Sequence, residues 1–539
     1  MKKRRNIIPA VPGIVLALVA SVATVSVVAK EPVPVKLLVG IVVDGLDADK
    51  LDLLRDHFGQ DGFRRLEKGA VITGADYGSY LDPAAATATL MTGAAPSVSG
   101  IGAAEIYNCE TLRAIPIYAD AAHLGNFTSQ TYSPSALKVT TISDEARIAA
   151  GGVNVVYAIA PDAARALALG GHAGNAAIWL DSKTGNWASS TFYKEMPVAV
   201  ATRNRTNPLS MRMDTMSWTP SHSFADYPSL PEHLRKYPFR YVFPRANTNR
   251  LDMFVNSPLV NREISNVAID LIQSLRIGKH DDGVDVLNIA YNLRPYAYGK
   301  STDTRPEEFD AYVKLDQNLE QLFSAIDRNV GLDHTLIFLA GTPPEPTGKR
   351  DDEKWSIPYG EFSSRKAVSL LNMYLMAVYG NGEYVAAYHN GRFFLNLKLI
   401  KERKLDIKAV RADAAAFLAK MQGVDRVYTQ EDILAGRAGN RPEALRRNTV
   451  VAHAGDLLIT VAPGYELIDD FNNPASQQQH LVYRTAATTA PAFIIAPEIA
   501  PQVIGTPVDV RTLAPTVARI LRIRSPNGAS ETALTLQKK

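Results

Sequence analysis

Short apolar runs alternate with helical stretches along this chain, and that alternation limits the fold more than any other feature. KLLVGIVVDGL (36–46), VNVVYAIA (153–160), DVLNIAYN (285–292), HTLIFLAG (334–341) and APAFIIAP (490–497) are dominated by aliphatic residues, many of them β-branched. A continuous apolar run that stops at a turn residue is the pattern of a strand buried on both faces. Helical periodicity occupies 261–277, 308–327 and 407–421. Strands separated by helices predict an α/β fold, a parallel-sheet core with helices on both faces. The stretch 194–255 has weak periodicity and many Arg, Asn, Pro and Met residues, and is expected to form a cap or lid inserted in that core. Residues 343–364 are expected to be a polar loop, and there is no internal repeat.

Length and charge narrow the function. A chain of 539 residues can form one large domain with insertions, or two to three smaller ones. Its net charge is +3, and Lys2, Lys3, Arg4 and Arg5 lie in a 29-residue start that holds no acid. The remainder is close to neutral, which argues against nucleic-acid binding. The single cysteine, Cys109, excludes an internal disulfide and has no histidine near it in sequence, so it reads as a packed thiol. MKKRR followed by an apolar segment over 7–29, with small residues at Val27 and Ala29, has the form of a secretory signal cleaved after Ala29. The same segment is long enough to remain as a membrane anchor. Either outcome puts the protein on the periplasmic or extracytoplasmic side.

Asp44 stands where the first apolar run ends. Ligands of open α/β sheets bind at the carboxyl ends of strands. An acid there starts a metal or phosphate site, or it caps the following helix. One carboxylate does not hold a metal, so the choice depends on partners elsewhere in the chain.

From about residue 36 to 530 the chain resembles the alkaline phosphatase superfamily, in its branch of phosphate-irrepressible phosphatases and nucleotide pyrophosphatase/phosphodiesterases. The resemblance is carried by GIVVDGL (40–46), TGAAPSVSGI (92–101), GHAGNAAIWLDSKTGNWASSTFY (171–193) and EEFDAYVKLDQNLEQLF (307–323). IPYGEF (357–362), YLMAVYGNGEYV (374–385) and VRTLAPTVARIL with SPNG (510–528) continue it. It implies an alkaline phosphatase-like domain over 33–539 after a leader or anchor at 1–29, with 194–255 as a cap-like excursion.

The resemblance also implies a catalytic centre built on two zinc ions, one activating a threonine or serine nucleophile. Carried over by register, Asp44 matches a metal ligand, but the nucleophile position is Pro83, which has no hydroxyl to activate. The nearby Thr87 and Thr89 do not stand at the strand-to-helix turn. A second acid and histidine fall on Pro295 and Gly299, or on Asn292 and Tyr296 in a shifted register. A further Asp-His pair falls on Thr342 and Pro343, and the last histidine is matched by His480. The residues that would contact phosphate fall on Ala104, Asp162 and Ala164.

Asp44 and His480, remnants that would serve different metals, are not expected to retain either ion. Asp44 is then expected to cap the helix that begins near Ala48. No cofactor is expected. His280–Gly283, His453 with Asp456, and the basic runs 203–205 and 441–447 are expected to be structural or solvated. The function implied is that of a pseudoenzyme, a binding or scaffold component of the cell envelope with a protein partner there. A hydrolase of phosphate esters with relocated chemistry is the alternative. The emptied cleft is expected to have an apolar floor of Pro83, Ala84, Ala85, Ala104 and Pro343. The excursion is expected to offer Met211, Met213, Trp218, Tyr227 and Tyr237 as anchors for a partner.

Overall fold

The computed structural model describes residues 34–108, 111, 113–193, 196–228, 238–280, 283–293, 305–343, 360–435, 440–462, 464–471, 479–481 and 489–539. The leader at 1–29, Cys109, Tyr237, Pro295, Tyr296, Gly299 and most of the 343–364 loop lie outside them.

Eight strands carry the central sheet: β1 (Leu37–Asp44), β2 (Ala70–Asp76), β3 (Val156–Ala160), β4 (Ala176–Leu180), β5 (Trp187–Ser190), β6 (Asp285–Asn292), β7 (Thr335–Gly341) and β8 (Thr489–Ile495). Their order is β2-β8-β7-β1-β6-β3-β4-β5, with short strands Gln502–Ile504 and Gly125–Asn126 at the two ends. β7, β1, β6, β3 and β4 are mutually parallel, whereas β8 runs antiparallel to both β7 and β2.

β1 shows why the apolar runs become central strands. All eight of its residues are buried. With a side-chain period of two, Leu37, Val39, Ile41 and Val43 enter one hydrophobic cluster and Leu38 and Val42 the other. Helices α4 (Leu259–Ser274) and α5 (Arg305–Asn329) pack on the first face. Helices α1 (Pro83–Thr92), α2 (Ile142–Ala149), α3 (Ala163–Gly170) and α8 (Leu513–Leu521) pack on the second. Gly40 leaves room for the neighbouring strand's Asn288, whose Oδ1 would be 2.2 Å from an added Cβ. Asn288 Nδ2 in turn donates to Ser143 Oγ (2.7 Å) and the Leu169 carbonyl (2.9 Å), tying β6 to α2 and α3.

The described part of the 194–255 excursion folds into helices Val198–Thr206 and Arg250–Val255 and a small pairing of Ser217–Trp218 with Tyr241–Val242. It is bolted to the core. Arg203 and Arg212 reach the buried Glu263 on α4 at 3.0 and 2.5 Å, and Asp310 on α5 accepts from Trp218 Nε1 (2.5 Å) and Tyr227 Oη (2.9 Å). Met213, Trp218 and Tyr227 are therefore core residues and not the surface anchors expected of them, and only Met211 of the described set is exposed. Within the 203–205 run, expected to be a solvated face, Arg203 instead pairs with Glu263 and Asp270, whereas Arg205 is exposed.

A smaller antiparallel sheet of Val385–His389, Arg392–Leu395, Leu457–Val461 and Val424–Thr429 builds its own hydrophobic cluster with α6 (Ser364–Tyr379) and α7 (Ile407–Leu418). Asp456 is buried there, accepting from Arg411 and from Leu395 N–H. No helix among the described residues is long and apolar enough to cross a membrane.

Candidate functional site

The parallel strands bring Asp44, Asn292 and Thr342 to one edge. Asp44 and Asn292 are register partners at the ends of β1 and β6, and Thr342 follows β7, bonding its N–H to the Val43 carbonyl at 2.9 Å. Three of the sequence-predicted positions are thus neighbours at the carboxyl ends of the strands, where ligands of such sheets bind.

Their chemistry is directed inward. Thr342 Oγ1 donates to Asp44 Oδ1 at 2.6 Å and accepts from Gly45 N–H at 3.1 Å. Arg165 on α3 places Nη1 3.6 Å from Asp44 Oδ2, and both side chains are less than one tenth exposed. The same guanidinium donates from Nε to Asp162 Oδ2 at 2.6 Å and from Nη1 to the Tyr291 carbonyl at 3.4 Å. A protein cation therefore lies beside the carboxylate that resembles a metal ligand. Tyr77 donates to the Gly341 carbonyl at 2.7 Å, and burial together with the Asp44 charge holds its phenol well above the ordinary range.

Asp44 does not cap the following helix. The cap of Ala48–Leu53 is Asp47, whose carboxylate accepts from Asp49 N–H at 2.9 Å. The strand ends one turn too early for Asp44 to reach those amides, and its oxygens are engaged by Thr342 and Arg165 instead.

Pro83 is the first residue of α1, where a missing N–H costs nothing and a fixed φ suits the helix. The cap before it is Asp82, whose Oδ1 accepts from Ala84 N–H (2.9 Å) and Ala104 N–H (3.0 Å). Thr87 and Thr89 are buried and donate back to the Pro83 and Ala85 carbonyls at 2.7 and 2.9 Å, so neither hydroxyl is presented as a nucleophile. Ala84 and Ala85 belong to the core and do not form the expected apolar floor.

The described residues do not fit a zinc pair. Among them no group of three or more His, Cys, Asp or Glu residues is placed to hold a metal ion. Thr342 and Pro343 offer no imidazole, and Asp44 is occupied by a guanidinium. His480 lies in the short strand Gln479–Leu481, paired with Tyr465–Asp469 and outside the central sheet. His280 bonds Asp285 at 2.6 Å, a latch at the start of β6.

Ala104, Asp162 and Ala164, predicted to replace the phosphate contacts, come together in the lining of one cavity of about 270 Å³. Glu105, Asp252, Tyr118, Tyr132 and Trp179 share that lining, and no Lys, Arg or His does. Small apolar and aromatic side chains make up most of this lining, with the three carboxylates Glu105, Asp162 and Asp252 among them; Ala104 is part of it, and Pro83 and Pro343 are not. Burial, with the charges of Glu105 and Asp181, raises the Tyr132 phenol. Sequence reasoning missed Arg165, although its spacing from Asp162 was visible. An acid at a helix N-cap and an arginine three residues on is a recurrent pair, and here it is the acid's link to Asp44.

A family model described as type I phosphodiesterase / nucleotide pyrophosphatase matches residues 38–485. A protein named calcium-transporting ATPase from Myroides odoratus is 24% identical over 518 residues, which are 92% of this chain and 93% of that protein. Alkaline phosphatase PafA from Elizabethkingia meningoseptica is 23% identical over 517 residues, 92% of this chain and 93% of PafA. Alkaline phosphatase PhoV from Synechococcus elongatus is 23% identical over 527 residues, 93% of this chain and 92% of PhoV. The crystal structure of wild-type PafA superposes with a TM-score of 0.78 at 23% identity, over 93% of this chain and 98% of that one. At this identity the superposition establishes a shared fold.

Proposed function

The chain belongs to the type I phosphodiesterase / nucleotide pyrophosphatase family, and from that premise we propose that it is an exported member in which the two-metal centre has given way to an ion-pair network. One observation carries this reading: the Arg165 guanidinium stands 3.6 Å from the buried Asp44 carboxylate. A fixed positive charge there repels a divalent cation and already satisfies the acid. Pro83 at the nucleophile position, and Ala104, Asp162 and Ala164 at the phosphate contacts, point the same way. The retained fold then serves as a binding component of the cell envelope, reached through the N-terminal segment at 7–29, with a protein partner on the periplasmic or extracytoplasmic side.

A second reading is a phosphoester hydrolase whose chemistry has moved within the cleft. It is favoured by the comparisons, because two relatives matched along nearly their whole length are named alkaline phosphatases. The comparisons speak for the second reading, and the geometry at Asp44 speaks for the first.

The deciding experiment measures zinc content and turnover of nitrophenyl phosphate mono- and diesters on protein purified with ample zinc. The first reading expects well under one zinc per chain and no turnover above buffer. It also expects a melting temperature that a chelator leaves unchanged. Metal-dependent turnover that disappears in Asp44→Ala would establish the second.

A further inference from the structure

The parallel strands give the sheet a second end, opposite the cleft. Pro34 leads into β1 there, and the turns that enter β2, β3, β6 and β7 lie at the same end. Strands stand about 4.8 Å apart, so from β2 to β3 this end is about 24 Å wide. Six cations stand on these turns or on the helix ends that feed them: Lys36, Lys68, Arg147, Arg276, Lys279 and Arg328. Among the described residues none of the six pairs with a carboxylate. Glu67 and Glu498 at this end are answered by Arg55 (2.6 Å) and Lys538 (3.3 Å), which leaves Asp327 and Asp333 against the six. Asp281 and Asp282, in the turn that enters β6, lie outside the described residues. Beside Arg147 the chain reads IAAGGV, Ile148 to Val153, with no polar side chain. Ile148 and Val153 are 55% and 57% exposed. A Cβ added at Gly151 or Gly152 would meet nothing within 4 Å, so the turn stands clear of the body. An exposed apolar tip among unpaired cations matches an anionic bilayer surface, whose acyl boundary takes the tip and whose headgroups take the charge. The chain before Pro34 agrees with that occupant. Only residues 30–33 separate it from the apolar segment at 7–29, and a fully extended chain of that length reaches no more than about 18 Å.

We propose that this end of the sheet docks on an anionic lipid bilayer, with the 148–153 turn in the headgroup region and the cations against lipid phosphates. The cleft beside Asp44 then faces away from the membrane, because it lies at the opposite ends of the same strands. This inference rests on the proposed export of the chain and not on the loss of the metal centre.

The test is flotation with vesicles of phosphatidylcholine and of an equal mixture with phosphatidylglycerol. The protein is the chain from Lys30 onward, the form that cleavage after Ala29 leaves, which holds the whole compact unit Val33–Lys539. The anionic vesicles are expected to bind at least about tenfold more tightly than the neutral ones, and about 0.5 M salt to remove the difference. A cation near an anionic surface contributes about fivefold, so Lys36→Gln combined with Lys279→Gln is expected to weaken binding by about tenfold or more. The melting temperature should not change, because both side chains are exposed. A polarity-sensitive dye at Val153→Cys, in a Cys109→Ser background, should brighten on anionic vesicles, and the same dye at Met373→Cys, exposed on α6, should not. Equal binding to both vesicles, undiminished binding by the double variant, or equal brightening at the two positions would overturn the proposal. A dimer in sedimentation that brightens the Val153→Cys dye without lipid would assign the surface to a second copy and overturn it too. A chain that fractionates with the cytoplasm in cells would sink the export beneath it. An exported chain that binds no anionic vesicle would sink the docking inference alone.

Discussion

Replacing Arg165 by methionine tests the ion-pair network at its centre. The substitution keeps most of the side chain's apolar length and removes the guanidinium. Two unit charges 3.6 Å apart attract by about 5 kcal/mol at an effective dielectric near 20. The pair with Asp162 adds little, because that carboxylate is almost half exposed. Breaking a buried pair by removing one partner costs about 3–5 kcal/mol, since the remaining charge is left in a poorly solvated place. Arg165→Met is therefore expected to lose about 3–5 kcal/mol in urea unfolding, read from the shift in midpoint at constant slope. Adding Asp44→Asn to that background removes the stranded charge while keeping a hydrogen-bond acceptor for Thr342, and should recover more than half of the loss. Excess zinc should recover none of it. A single variant within about 0.5 kcal/mol of wild type, or a double variant no better than the single, would refute the argument that Arg165 neutralises Asp44.

Three further outcomes follow from the same geometry. His172 bonds Asp144 through Nδ1 at 3.3 Å and the Leu137 carbonyl through Nε2 at 2.9 Å; its bond to Asp144 raises its pKa against the opposing effect of burial. A histidine whose folded pKa is raised contributes stability that is full below about pH 6.5 and lost as pH rises through the folded value. Melting of wild type and His172→Gln from about pH 5.5 to 8.5 should show the wild-type advantage shrinking toward alkaline pH; a constant gap would count against it. Trp218→Phe removes a 2.5 Å hydrogen bond to the fully buried Asp310 and should cost about 1.5–3 kcal/mol, measured by urea unfolding; a change below about 0.5 kcal/mol would mean the excursion is not anchored there. Pro83→Thr restores a hydroxyl at the nucleophile position and should still give no phosphoester turnover, because Asp44 remains paired; measurable metal-dependent turnover would show that only the nucleophile had been lost.

The central layers were legible along the chain. Apolar runs at 285–292 and 334–341 became β6 and β7 with ends shifted by no more than one residue, and 308–327 became the middle of α5. A strand buried on both faces admits few polar residues, so its composition alone marks it. The ends of those strands were legible too, since Asp44, Asn292 and Thr342 do meet at one edge, and the phosphate positions Ala104, Asp162 and Ala164 do share a cavity. What each polar group does there was decided only in three dimensions. Asp44 looked like a helix cap because the next helix follows it closely, yet its partner Arg165 arrives from a helix more than a hundred residues away. Met213, Trp218 and Tyr227 of the excursion looked like surface anchors because their residue types are enriched in interfaces. They are buried because Glu263 and Asp310, on α4 and α5, bind that part of the chain down. Local sequence specifies which residues must leave water. Which buried charge meets which counter-charge depends on chain segments brought together by the sheet, and that pairing determines whether a carboxylate at the end of a strand is open to a metal or already satisfied.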